Sequence, residues 1–417
     1  MGERILNGTK EVGRFFIDEV KLIVTDAGTV LFFIIAMFIY SLLYTLGYEK
    51  ETVRDLPVAM VDLDHSATSR QFSRMADATE QLHVSCKPGS LKEAGDLFYD
   101  GEVYGVLLIP ENFEKDILNS RRTSVTAYCD ASYFMLYKQV YAGAIYSSGT
   151  FGAGVEIKRF MAEGKSLTQA SELQDPLKVD LYNLYNPSGG YGSFVMPGMI
   201  ILIMQQLLLV GIGMLGGTIR EKKKFLQMNS SVIRRHGATR LVFAKASAYV
   251  AIFLFTSLFS MGIMHKWFSF PDKAHFWPII TMLIPYLYAV SFFGLSISML
   301  FKERVQSILF MVFISPMVVF MSGISWPISS LPPVLHFVSH IFPSTYMIPA
   351  YLRMRLYGAG LESVHFEWGM ILLQMVVYYV LACYSYRLAI RRFGKKIGSN
   401  IVWSNDSAFY NPKEEDV

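Results

Sequence analysis

Two charge-free stretches decide the fold of this chain: AGTVLFFIIAMFIYSLLYTLGY at residues 27–48 and LYNLYNPSGGYGSFVMPGMIILIMQQLLLVGIGMLGGTI at residues 181–219. Neither stretch contains Asp, Glu, Lys or Arg. About 20 apolar residues cross a bilayer as an α-helix, so each stretch is long enough to hold a membrane span. The block between them is rich in charge, and further apolar segments follow it. The sequence therefore predicts one membrane helix, a large water-exposed domain and then a helical membrane bundle.

The composition also indicates an integral membrane protein. Of the 417 residues, 52% are hydrophobic and 17% are charged, whereas about 25% of the residues in a typical soluble domain are charged. The net charge of +4 hides an asymmetry, because residues 49–180 hold 20 acidic and 14 basic residues. The rest of the chain then holds 14 acidic and 24 basic residues. Two environments explain this difference, so no nucleic-acid partner is expected.

The apolar segments predict six membrane spans. Basic residues cluster in the connection 219–245, in the turn 302–304 and after residue 386, and such clusters favour the cytoplasmic side. With six spans the N-terminus is also cytoplasmic, and the charged block lies outside. The expected fold is an α-helical polytopic membrane protein with six transmembrane helices and an inserted α/β extracytoplasmic domain. The predicted spans are 28–47, 193–217, 242–264, 278–300, 307–325 and 368–388.

The charged block alternates between strand-like and helix-like segments, which predicts β-α-β units. Strands are expected at 56–61, 82–86, 103–109 and 123–129, with a last extended piece at 177–185. Helices are expected at 66–79, 90–100, 111–119 and 132–163. The predicted organisation of the whole chain is an amphipathic interfacial helix at 1–27, the first transmembrane helix at 28–47, the extracytoplasmic α/β domain at 48–190, transmembrane helices two to six at 191–392 and a cytoplasmic tail at 393–417.

A further charge-free region, residues 305–352, is too long for one span. Five prolines lie in the part that one span leaves over, and proline breaks helices because it lacks a donor and clashes with the preceding turn. A re-entrant helical segment near 326–350 is therefore expected. Non-helical backbone at membrane depth survives only when it is buried in protein or lines a cavity, which makes this segment a candidate gate. The prolines are Pro327, Pro332, Pro333, Pro343 and Pro349.

Three short motifs resemble functional sites, but each is more consistent with a structural role than with phosphate binding, catalysis or zinc binding. Gly164-Lys165-Ser166 ends like a phosphate-binding loop, but position 159 holds Arg in place of the required glycine. Asp62-Leu63-Asp64-His65-Ser66 combines catalytic residue types, yet neighbours at a strand end usually point apart, so helix capping by Asp64 or Ser66 is favoured. His336 and His340 share one helical face, but the acid of the H-E-x-x-H zinc motif is absent.

Cys86 and Cys129 lie in the charged block, and Cys383 lies in the last apolar segment. If the block is outside the cytoplasm, the first two could form a disulfide. The alternative is a pair of free thiols at strand ends, because spacing alone does not bring two sulfurs together.

In order and spacing, several segments resemble the permease subunit of ABC-2 type ABC exporters that carry a large domain between their first two spans. The resemblance covers nearly the whole chain. The segments that carry it are Val61-Asp62-Leu63-Asp64-His65-Ser66 through Ser69-Arg70, Tyr185-Asn186-Pro187, Val195-Met196-Pro197-Gly198, Ser322-Gly323-Ile324-Ser325-Trp326-Pro327, Leu331-Pro332, Phe342-Pro343-Ser344-Thr345-Tyr346 and Arg353.

The resemblance implies a membrane dimer of two permease subunits with a separate ABC ATP-binding subunit below it. The chain itself would bind no cofactor and no metal and would not be an enzyme, since ATP and Mg would be bound by the partner ATPase. In the family's loop after the second span, Arg220-Glu221-Lys222 matches, but Lys223 replaces an acid and Phe225-Leu226 replaces Gly-Thr. Homodimer and heterodimer both stay open, as does the use of a periplasmic adaptor and an outer-membrane channel.

The resemblance also implies roles for particular residues. Two of them, Gln205 and Gln206, lie in a predicted span, where a glutamine is costly unless it faces protein or water. Hydrogen bonding between helices is an equally good interpretation of these two glutamines. The expected ATPase-coupling residues are Arg220, Glu221, Lys222, Lys245 and Glu303. The expected residues of the translocation path or gate are Met196, Pro197, Gln205, Gln206, Gly323, Pro327, Pro332, Pro343 and Tyr346.

The predicted function is ATP-driven export of a hydrophobic or amphipathic substrate, such as a drug, a lipid or a glycoconjugate. The substrate would leave the cytoplasm or the inner leaflet of a bacterial inner membrane. The alternative is a membrane-anchored sensor or scaffold whose extracytoplasmic domain binds a ligand. A hydrolase or transferase within the membrane would need converging polar groups in the spans, which hold almost none.

Overall fold

The computed structural model of the chain describes residues 2–48, 50–177, 179–180, 182–187, 189–221, 237–268, 270–397, 401–404 and 407–410. These residues form two compact units. The first, here called the helical unit, consists of Met1–Glu51 and Asn183–Val417, and the second, here called the inserted domain, is Thr52–Tyr182.

The chain begins with helix α1 (Gly2–Thr25), which is followed directly by α2 (Ala27–Gly47). Phe15, Phe16 and Val20 of α1 pack against the core of the helical unit, and Ile23 is fully buried in it. The apolar face that predicts an amphipathic helix is thus partly packed against protein.

The inserted domain has the predicted alternation of strands and helices. Its elements are β1 (Leu56–Asp62), α3 (Ala67–Asp77), β2 (Leu82–Cys86), α4 (Leu91–Tyr99), β3 (Gly105–Ile109), α5 (Phe113–Leu118), β4 (Thr126–Cys129), α6 (Phe134–Ala162) and α7 (Leu167–Gln174).

The four strands form one sheet in the order β2-β1-β3-β4. Strand β1 is parallel to β2 and β3, and β4 runs antiparallel to β3 at one edge. Alternate residues of β1 point to opposite faces, as strand geometry requires. Val58 and Met60 enter a core shared with α3 and α6, whereas Ala59 and Val61 enter a second core shared with α4.

Two predictions about this domain are resolved by the sheet and its flanking helices. Cys86 and Cys129 are free, because they lie on opposite edge strands about 14 Å apart, which is three strand spacings and well beyond disulfide reach. The Gly164-Lys165-Ser166 motif is a helix junction in which Ser166 and Gln169 form the capping box that begins α7.

The inserted domain differs from the prediction at two places. Helix α7 was not predicted, and no strand forms in the described part of 177–185.

Among the described residues, six helices are long and apolar enough to cross a membrane, which confirms the predicted number. The first is α2. The others are α8 (Tyr191–Glu221), α9 (Gly237–Trp267), α10 (Phe276–Ser298), α11 (Arg304–Met321) and the helix after residue 361, which begins with a 3-10 turn and continues as α14 (His365–Ile397).

Two short helices, α12 (Pro333–Ser339) and α13 (Ser344–Tyr357), lie between the last two spans, and we call them the proline-rich hairpin. Pro332 precedes α12 and Pro343 precedes α13, as expected of helix breakers. Pro349 is different, because it lies inside α13. Helices in a membrane protein tolerate such a proline when neighbouring helices support the freed backbone. A short antiparallel pair, β5 (Ile401–Ser404) and β6 (Ser407–Tyr410), follows α14.

Candidate functional site: the charged rim and the proline-rich hairpin

A buried ion pair fixes α1 to α9. The Nζ atom of Lys245 lies 2.5 Å from Oε2 of Glu19, and the hydroxyl of Tyr249 donates to Oε1 of the same carboxylate. Glu19 and Lys245 are each 4% exposed. An ion pair this deep depends on close geometry and additional hydrogen bonds to offset desolvation, and Tyr249 supplies such a bond.

A second ion pair ties the same two helices together nearer the start of α1. Nη1 of Arg240 lies 2.5 Å from Oε2 of Glu11, and both side chains are partly exposed. Glu11 and Glu19 are two helical turns apart, so they lie on one side of α1. Helix α1 is therefore held along its length and should move together with α9.

Arg304, the first residue of α11, connects three helices at one end of the helical unit. Its Nη1 and Nη2 atoms donate to Oδ1 and Oδ2 of Asp26 at 2.7 and 3.0 Å, and Nη1 also lies 3.3 Å from Oγ1 of Thr218. Asp26 accepts from the backbone N–H of Thr29 as well, which caps the start of α2. The starts of α2 and α11 and the end of α8 are thus joined through one guanidinium.

The Arg304 guanidinium lowers the pKa of Asp26 from 3.8 to about 2, and the hydrogen bonds from Thr29 act in the same direction. Burial opposes this shift but is the smaller effect. Asp26 is therefore charged at any physiological pH.

Three of the predicted coupling residues meet at this end. Nη1 of Arg220 donates to the carbonyl of Phe301 at 3.0 Å, and Oε2 of Glu221 accepts from the backbone N–H of Arg304 at 3.4 Å. Glu303 precedes Arg304 and is exposed, as is Glu221. We call Asp26, Arg220, Glu221, Glu303 and Arg304 the charged rim.

A glycine allows α8 and α11 to approach so closely at the charged rim. A Cβ atom at Gly217 would lie 2.7 Å from the carbonyl oxygen of Glu303 and 2.8 Å from Cα of Arg304. Backbone cannot yield at that distance, so any larger residue would separate the two helix ends.

At the opposite end, the proline-rich hairpin is bonded to α8 and α14. Oε1 of Gln205 accepts from the backbone N–H of Ser344 at 3.0 Å. From α14, Nε2 of Gln374 donates to the carbonyl of His340 at 2.8 Å, and the hydroxyl of Tyr378 donates to the carbonyl of Ile341. The connection between α12 and α13 is thus fixed from two sides.

Side chains of the hairpin also pack on one another. The Tyr346 ring, 7% exposed, stacks on the His340 ring with centroids 5.3 Å apart. The His336 ring meets the His340 ring edge-on at 4.8 Å. Gly323 ends α11 with φ +86°, and a Cβ there would lie 2.8 Å from Ile328, so this turn requires glycine.

A sequence model of the ABC-2 family transporter protein matches residues 27–384. The chain belongs to the ABC-2 transporter family. Membrane proteins of this family are transport components, and the family as a whole implies an ATP-binding partner subunit. No curated protein matched the chain.

For this ABC-2 family chain, one predicted coupling residue needs correction. Lys245 is not on an exposed surface, because its ammonium group is buried against Glu19 inside the helical unit. Lys222 lies outside the described residues, as do Lys223 and Phe225-Leu226.

The predicted translocation residues of the ABC-2 chain divide by burial. Met196, Pro197 and Gln205 of α8 are buried inside this protomer, so in this conformation they form no exposed wall. For Gln205 the bond to Ser344 favours the interpretation as a contact between helices. Gln206 is half-buried, and its Nε2 atom, like that of Gln205, is buried without a partner among the described residues. A role of Gln206 in the path therefore stays a prediction.

Three of the residues that form these ion pairs, Glu19, Asp26 and Arg304, were not among the predicted site residues. Glu19 carried a signal, because it lies four residues from both Phe15 and Ile23 and so shares the apolar face of α1. Asp26 and Arg304 carried no comparable signal, since they are 278 residues apart.

Proposed function

We propose that this chain is the permease subunit of an ATP-driven exporter. It would move a hydrophobic or amphipathic substrate out of the cytoplasm or the inner leaflet, with a second permease subunit beside it and an ABC ATP-binding subunit below. One observation carries the proposal: the ends of α1, α8 and α10 and the starts of α2 and α11 converge at the charged rim.

The basic connections of the chain leave from this same end, which is why we assign it to the cytoplasm. The N-terminus and the tail would then also be cytoplasmic, in a bacterial inner membrane. The proline-rich hairpin would lie toward the outer face, where a gate is needed. Membrane lipids would surround the six spans.

The mechanism follows from what the rim connects. The partner ATPase would bind the exposed carboxylates of Glu221 and Glu303 and the basic connection that begins at Lys222. Movement of that connection pulls the end of α8 and the start of α9, and α1 moves with α9 through the Glu19–Lys245 pair. The Arg304–Asp26 contact passes the same movement to α2 and α11. At the other end, α8 reaches the proline-rich hairpin through Gln205. ATP and Mg would be bound by the partner alone.

The topology can be tested by labelling. In a variant whose three cysteines are replaced by serine, we expect Asp100→Cys to react with a membrane-impermeant maleimide on intact cells. Lys302→Cys should react only after the cells are permeabilised, because both residues are exposed but belong to opposite sides of the membrane. Permeabilised cells, in which both must react, are the control. Reaction of both residues on intact cells would overturn the topology.

The partnership can be tested by co-expressing the tagged chain with the ABC ATP-binding subunits of its own genome. We expect one of them to co-purify and the pair to hydrolyse ATP, whereas the chain alone does not. Glu221→Arg should reduce the yield of the complex about tenfold or more. The reversed charge would face the groups of the partner that are proposed to bind the Glu221 carboxylate, and like charges at an interface repel.

The matched control is Glu102→Arg, an equally exposed charge reversal in the inserted domain, which should leave the yield of the complex unchanged. Robust ATP hydrolysis by the purified chain alone would contradict the proposal, and so would equal losses of yield in the two variants.

A further inference from the structure

The inserted domain contains a cavity of about 410 Å³ between its edge strand β4 and helix α6. Ala127 and Cys129 alternate along β4 and so face α6 from the strand, while Ala144 and Ser148, one turn apart, face them from the helix. All four side chains are small. The helix and the strand therefore leave a gap that larger residues would fill.

The cavity reaches the core of the domain. Phe72 of α3 and Leu107 of β3 line its inner end, and they are 1% and 0% exposed. Leu107 pairs in register with Ala127, so the floor and one wall are fixed by the sheet. At the mouth, the rings of Tyr137 and Tyr141 are stacked with centroids 5.9 Å apart.

The chemistry of the walls selects the occupant. The cavity is open to solvent along Tyr141, Ile145 and Ser148, which are exposed. None of the side chains that line it carries a charge, so a charged group of a ligand would find no partner there and would lose part of its hydration against the buried inner end. The polar groups are the hydroxyls of Tyr137, Tyr141 and Ser148 and the thiol of Cys129. Cavities of roughly 150 Å³ with apolar walls bind benzene, so about 410 Å³ holds a molecule of two fused rings or slightly more.

We propose that the inserted domain binds an uncharged aromatic small molecule in this cavity. The flat rings of the ligand would lie against Tyr137 and Tyr141, since aromatic rings favour offset-stacked and edge-on contacts. One hydroxyl of the ligand would meet the hydroxyl groups at the mouth. The site is separate from the charged rim and does not depend on the transport role.

Cys129 gives a direct readout of occupancy. In the full-length chain in lipid nanodiscs, the rate at which N-ethylmaleimide alkylates each cysteine can be followed by peptide mass spectrometry. We expect saturating 2-naphthol, an uncharged bicyclic alcohol, to slow the alkylation of Cys129 about fivefold or more, because a bound ring covers the cavity wall. Cys86, on the opposite edge of the sheet, is the internal reference and should not change.

Two variants sharpen the test. Ala144→Phe fills the cavity, so it should itself slow the alkylation of Cys129 and remove the effect of 2-naphthol. Ala162→Phe adds the same ring at the exposed end of α6 and should behave like the unmodified chain. An unchanged rate for Cys86 shows in each variant that the domain is folded.

Three outcomes would overturn the proposal. The first is a Cys129 rate that 2-naphthol does not change in the unmodified chain. The second is equal protection of Cys86, which would indicate general partitioning. The third is equal protection by 2-naphthalenesulfonate, whose charge the cavity should reject.

Discussion

Lys245→Met is expected to lower the stability of the helical unit by about 3–5 kcal/mol, because removal of one partner leaves a buried, uncompensated charge on the other. Here the remaining charge is the carboxylate of Glu19, which is 4% exposed. Tyr249 would be its last partner, and a single hydroxyl does not replace an ammonium group.

The size of the loss can be measured by thermal or detergent-induced unfolding of the purified chain. Glu11→Gln is the matched control, because it breaks the other ion pair between α1 and α9 in a more exposed setting, with side chains 24% and 36% exposed. That change should cost about 1 kcal/mol or less.

A second variant separates loss of packing from loss of charge balance. Glu19→Met, Lys245→Met and Tyr249→Phe together remove both charges and the hydroxyl that would otherwise lose its acceptor. Replacement of a whole buried ion pair by apolar side chains of similar size is often neutral or stabilising. The triple variant should therefore recover most of the stability. If Lys245→Met alone matched Glu11→Gln, the pair would not be buried as described.

The sequence was sufficient for the number of spans and for the four strands of the inserted domain, because both are repeating patterns in nearby residues. Strand β1 illustrates this point, since its alternation of Val58, Ala59, Met60 and Val61 serves two cores at once. The capping role of Ser66 was also accessible, and its Oγ atom accepts from the N–H of Ser69 at 3.0 Å.

Reading the sequence could not choose pairing partners across long separations. Lys245 is one of eight basic residues between positions 219 and 245, and nothing beside it marks it as the one that turns inward. Its partner Glu19 is 226 residues away. Proline patterns were also ambiguous, because Pro343 precedes a helix whereas Pro349 lies inside the same helix. In both cases the tertiary contacts decide, and these are set by elements distant in sequence.

Arg304→Gln is expected to uncouple the permease from its ATPase. The change removes the charge that joins the starts of α2 and α11 and the end of α8, so movement at the rim would no longer reach α2. We expect the ATP hydrolysis rate of the reconstituted complex to fall about tenfold or more, equivalent to roughly 1.4 kcal/mol of barrier. The complex itself should still form, because Glu221 and Glu303 are unchanged.

The charge-exchanged variant, with Asp26→Arg and Arg304→Asp, tests whether the contact itself is responsible. It keeps an ion pair at the same place and should restore part of the rate, whereas Asp26→Asn alone should resemble Arg304→Gln. Lys302→Gln, two residues from Arg304 and exposed, is the neutral control.

The dependence on pH gives an independent measure of the Asp26–Arg304 pair. The pKa of Asp26 is lowered from 3.8 to about 2. The pair therefore contributes fully to the free energy of unfolding above about pH 4, and this contribution is lost as the pH falls through about 2. The stability difference between the unmodified chain and Asp26→Asn should therefore stay constant from about pH 8 to about pH 5. A difference that shrank over this range would show that Asp26 titrates near neutrality and is not held by Arg304.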